Sequence, residues 1–115
     1  MDPAIPVGMS QDEAAARAVA AFLAEPPSRH DDVERIEVVE LRSGNGPVTT
    51  VAGVLMEWRQ GTGQFGLLMP IDRLAYQAGG LDGVAFYLRL AVREPHGGAA
   101  DGRRVWFTDL PSGAY

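Results

Sequence analysis

Two turn signals spaced to make a three-strand meander constrain this chain more than any other feature. Ser43-Gly44-Asn45-Gly46-Pro47 and Gln60-Gly61-Thr62-Gly63 each separate stretches in which apolar and polar residues alternate. Gly and Asn supply the backbone conformations that tight turns require, and alternation with period two places one set of side chains on each face of a strand. Strands are therefore predicted over 33–42, 48–59 and 64–71.

Opposed residues in an antiparallel hairpin share a constant sum and must agree in character. A turn centred at 61–62 pairs Trp58 with Phe65, Met56 with Leu67, Val54 with Met69 and Ala52 with Ile71. A turn centred at Asn45 brings Ile36 opposite Val54 and Val38 opposite Ala52. Both hairpins bury one apolar face. The reverse face carries Val33, Val39, Leu41, Val51, Leu55 and Leu68 among Arg35, Glu37 and Glu57. A face open to water should be more polar, so a cover is expected: the N-terminal arm or another subunit.

A third hairpin is predicted from 84–94 (VAFYLRLAVRE) and 104–110 (RVWFTDL), which also alternate. Its register sets Leu90 opposite Phe107, Val92 opposite Val105, Ala91 beside Trp106 and Arg93 beside Arg104. Its polar face would carry Tyr87, Arg89, Arg93, Arg104 and Trp106. Arginine and aromatic residues recur at contact sites, and guanidinium groups bind carboxylates in a two-pronged fashion. These five residues are the candidate partner-binding face. The Arg93–Arg104 juxtaposition calls for an acidic group between them, from a partner or from the chain's own acids.

Two helices complete the pattern. Ser10-Gln11-Asp12-Glu13 is a capping box, and Pro26-Pro27 stops the helix it opens over about 11–24. Ala15, Ala18, Val19, Phe22 and Leu23 would form its buried face. A second short helix is read in 72–80, with Asp72 near its start, Leu74, Ala75 and Ala78 packing, and Gly79-Gly80 ending it. The expected fold is α+β: an antiparallel sheet of about five strands with two helices on one face, in the order α-β-β-β-α-β-β. Residues 1–9 are expected to be a flexible N-terminal arm, and 10–115 a single domain.

Composition narrows the chemistry. The net charge is −5 over 115 residues, which disfavours nucleic acid as a partner. It is uneven: residues 1–57 hold ten acids and four arginines, and residues 58–115 hold five acids and six arginines. Every basic residue is Arg, so lysine Schiff-base and phosphate-loop chemistry are excluded. There is no Cys, which removes thiolate chemistry and Cys-based metal sites and fits a cytoplasmic setting. The first ten residues do not read as a signal peptide, and no run approaches the ~20 apolar residues of a membrane helix.

The remaining motifs point away from catalysis. Gly61-Thr62-Gly63-Gln64-Phe65-Gly66 has dinucleotide-fingerprint spacing, but a strand rather than a helix follows it, so it is a hairpin turn. His30-Asp31-Asp32 reads as a solvated turn, and His96 has no companion ligands; no metal or cofactor is expected. Ser10, Ser28, Ser43 and Ser112 lie in no nucleophile motif. Glu57, Asp82 and Asp109 would need burial to become acid–base groups. The expectation leans to a non-enzymatic protein-binding domain of adaptor, immunity or antidote type, forming a homodimer and accepting an acidic protein partner. The alternative is a small-molecule binder or enzyme with an apolar pocket between the first helix and the sheet, lined by Phe22, Met56, Trp58, Phe65 and Met69.

Overall fold

The computed structural model describes residues 5–24, 32–43, 49–94 and 102–108. Ser10 caps α1 (Gln11–Leu23) through its Oγ, which accepts from the Glu13 amide at 3.1 Å. The Ser10 half of the expected capping box is thus present. Ala14, Ala15, Ala18 and Phe22 form the buried face, while Val19 is half-buried and Leu23 is exposed. Small alanines bring the helix axis close to the sheet and leave Phe22 as its one large core residue.

The meander is present as β1 (Val33–Ser43), β2 (Thr49–Gln60) and β3 (Gly63–Pro70). Trp58↔Phe65, Met56↔Leu67 and Val54↔Met69 pair as expected. Ile71 does not pair with Ala52, because the ladder ends at Gly53↔Pro70 and Ile71 opens a helix. The first hairpin is displaced by two residues from the expected register: Ile36 faces Met56 and Val38 faces Val54. A slip of two keeps every side chain on its predicted face, because the strand period is two. A register irregularity between Val33 and Arg35 moves Val33 to the core side, so Val33 leaves the reverse face assigned to it.

The third hairpin does not form. Residues 84–93 are a helix, α3 (Val84–Arg93), and β4 (Val105–Thr108) pairs with β3 in parallel. None of the pairs Leu90–Phe107, Val92–Val105, Ala91–Trp106 or Arg93–Arg104 exists. Val84, Leu88 and Val92 are buried, spaced four apart. That spacing satisfies both a strand period of two and a helix face. The decisive positions are Phe86 and Leu90, which a strand would bury and which are exposed here. Two leucines, two alanines and two arginines in ten residues favour the helix locally.

α2 (Ile71–Gln77) buries Ile71, Leu74 and Ala75, and leads through a 3-10 turn at Leu81–Gly83 into α3. Gly79 and Gly80 end α2 at φ 80° and 135°, a region closed to most side chains. Parallel pairing of β3 and β4 requires a crossover, and α2 with α3 supplies it. Among the described residues the fold is α+β, a single domain with a mixed four-stranded sheet in the order β1-β2-β3-β4 and three α-helices. It therefore differs from the expected five antiparallel strands and two helices.

The core lies between the helices and one sheet face. Trp58, Phe65 and Phe107 stack with centroids 5.9 to 6.2 Å apart, within the range favoured by aromatic pairs. Ile5 and Met9 also pack against this core, so these arm residues do not cover the reverse face. Gln60 at the end of β2 donates to the Val92 and Glu94 carbonyls at 2.8 and 2.6 Å. It thereby satisfies acceptors that the end of α3 leaves open.

Candidate functional site

The five predicted contact residues are separated by the fold. Tyr87 and Arg89 are half-buried on α3, and Arg93 is exposed in its last turn. Arg104 and Trp106 belong to the β4 segment, whose Trp106 projects from the reverse sheet face. The Tyr87 hydroxyl donates to Gln77 Oε1 at 2.7 Å and ties α3 to α2. Arg89 holds its guanidinium carbon 5.1 Å from the Phe86 ring centroid, a cation–π distance. A single face carrying all five is therefore not what the chain builds.

Arg93 and Arg104 are not juxtaposed, so the reason for an acid between them falls away; Arg104 instead meets two acids from the acidic half of the same chain. Arg104 Nη2 lies 2.9 Å from Glu34 Oε1, and Nε lies 3.2 Å from Glu57 Oε2. Arg104 Nη1 donates to the Phe65 carbonyl at 2.7 Å. One side chain thus engages β1, β2 and β3 at the point where β4 enters the sheet. Planar, multiply donating guanidinium suits such a junction. Arg59 reaches the other Glu34 oxygen at 3.2 Å, and Arg35 contacts Glu37 at 2.6 Å and Glu57 at 3.5 Å. The Arg104 hydrogen bond, then Arg59, holds the Glu34 carboxyl below its ordinary range despite some opposing desolvation. Its hydrogen bond to Arg35 does the same for Glu37, and raises Arg35 in return.

This ion-pair group lies on the sheet face opposite the helices. The same face carries Val39, Val51, Leu55 and Leu68, all half-buried, with Leu41 buried against Gly53. Trp106 is 46% exposed and lies over Gly66, where an added Cβ would come within 2.5 Å of its ring. Gly66 is thus the seat of Trp106. The sequence marked most of this face through its unexpected apolarity, but missed that Trp106 and Arg104 join it and that Glu34 does so through the strand irregularity.

The remaining predicted features are placed as follows. Gly61 and Thr62 form the β2–β3 turn, Gly61 at φ 61°. His30, Asp31, His96, Asp109, Ser28 and Ser112 lie outside the described residues. Among the described residues no cluster of three or more His, Cys, Asp or Glu is placed to hold a metal. Asp82 is exposed, and Glu57 is engaged by two arginines. Phe22, Met56, Trp58, Phe65 and Met69 are each 0–3% exposed and belong to the core cluster. An open depression of about 310 Å³ lies between the end of α1 and β1, lined by Leu23, Val33, Glu34, Arg35 and Ile36. Among the described residues no helix is long and apolar enough to cross a membrane. Comparison with protein-family models, curated protein sequences and solved structures finds no match.

Proposed function

We propose that this chain is a non-enzymatic protein-association domain that pairs with a second copy of itself through the open face of its sheet. The observation that carries the reading is the composition of that face. Apolar side chains on β1, β2 and β3 and a half-exposed Trp106 surround a charged group of three arginines and three glutamates. A twofold interface sets a surface against itself, so that surface must complement itself. A balanced set of both signs does so, whereas a surface of one sign would repel its copy. Two such sheets would pack face to face at about 10 Å.

An adaptor, immunity or antidote role in a cytoplasmic setting belongs to the same reading, as does the lack of any catalytic motif. The alternative of an apolar ligand pocket under α1 has less support, since its five proposed lining residues are core side chains packed with the rest of the core cluster. Sedimentation equilibrium of the intact chain tests the proposal. The native chain should contain a two-chain species, and Leu55→Arg should shift it to single chains while leaving the circular dichroism spectrum unchanged. A native chain that stays single, or a variant that still pairs, would reject it.

A further inference from the structure

The open face of the sheet is graded in two directions. Along the strands, the registers of β1, β2 and β3 set its residues in rows. One end is apolar: Leu41 stands beside Val51, and Val39 beside Gly53. The middle row joins Glu37, Leu55 and Leu68. The other end is charged: Arg35 stands beside Glu57, with Arg59, Glu34 and Arg104 next to them. Across the strands, the sign of the charge changes. Among the described residues, β1 brings Glu34, Arg35 and Glu37 to this face, β2 brings Glu57 and Arg59, and the segment entering β4 brings Arg104. The β1 edge is thus net negative, the middle neutral and the β4 edge net positive.

We infer that two copies meet about a twofold axis running along the strands, so that β1 of each lies over β4 of the other. The inference rests on the sheet-face pairing proposed above and assigns its geometry. Aligned sheets leave two twofold axes in the plane between them, one along the strands and one across them. The first keeps every row at its own level, so apolar end meets apolar end and charged end meets charged end. It also exchanges the edges, and the negative β1 edge faces the positive β4 edge. Leu55 of each copy lies over Leu68 of the other. Arg35 comes level with the half-exposed Trp106 ring of the second copy, and a guanidinium stacks well on such a ring. An axis across the strands fails on both counts. It sets the charged end against Leu41 and Val51, where charges lose water and gain no partner. It also sets each edge against its own sign.

The chain has no Cys, so Thr62→Cys gives one attachment point for a nitroxide label. Thr62 is exposed in the β2–β3 turn, at the charged end and midway across the sheet. With the axis along the strands the two turns face each other, and dipolar electron spin resonance should give a label separation under about 25 Å, from sheets roughly 10 Å apart plus two label arms. With the axis across them, the turns lie at opposite ends of the pair. Residue 62 stands well beyond the middle row, so at about 3.3 Å per residue that separation would be about 45 Å. Adding Leu55→Arg should abolish the coupling and leave the circular dichroism spectrum unchanged. A separation beyond about 25 Å in a sample that sediments as pairs would overturn the orientation while the pairing stands. A chain that stays single would overturn both, and coupling that survives Leu55→Arg would place the contact elsewhere and overturn the inference.

Discussion

Arg104 is the residue on which the β4 edge depends. It reaches Glu34, Glu57 and the Phe65 carbonyl, so removing it leaves Glu34 to Arg59 and Glu57 to Arg35 and takes a side-chain donor from one backbone acceptor. Arg104→Ala should lower stability by about 1–3 kcal/mol in denaturant unfolding, because the side chain is largely covered and its hydrogen bonds are charged. Arg104→Lys should recover only part of the loss, since an ammonium cannot reproduce the planar fork. The same contacts set a pH dependence. Glu34 and Glu37 have folded-state pKa values below their ordinary ones, so their contribution is present above the ordinary carboxylate pKa of 4.5 and is lost as pH falls through the lowered values. Carboxyl NMR titration should place both midpoints below 4.5, and Arg104→Ala should move Glu34 back toward it. A Glu34 midpoint unmoved by that substitution would contradict the assignment.

At the scale of elements, the meander and α1 were legible because each rested on two agreeing signals. A cap residue agreed with an apolar helical face, and turn residues agreed with cross-strand character. The alternation in 104–110 predicts the strand β4 but pairs it with 84–94 rather than with β3. The sequence of α3 reads as a strand because Val84, Leu88 and Val92 fit both periods, and only burial of the intervening residues separates them. With α3 a helix, 84–94 and 104–110 form no hairpin, and β4 joins β3 in parallel. The predicted contact face then divides between α3 and the reverse of the sheet. Mutagenesis can read this period directly. Leu88→Ala should cost about 2–5 kcal/mol as a buried truncation, whereas Phe86→Ala and Leu90→Ala should change stability by less than about 1 kcal/mol. A strand would make all three costly.

At the scale of the whole molecule, the helices and the arm residues Ile5 and Met9 collect on one side of the sheet. Among the described residues, the other side carries a neutral ion-pair group among apolar residues. That asymmetry was visible in outline in the sequence, where the reverse face of the meander was too apolar for water. The sequence did not show that Arg104 would find its anion within the chain, because strand order and the irregularity at Val33–Arg35 decide that contact. The open sheet face is the one proposed to meet a second copy of the chain. The most direct test of the sheet-face association is an isotope-filtered NMR experiment on a mixture of labelled and unlabelled chains. Intermolecular contacts should connect the Trp106 ring and the Val39, Val51, Leu55 and Leu68 methyl groups with sheet-face groups of the second copy. Their absence, or intermolecular contacts confined to Phe86 and Leu90, would contradict it.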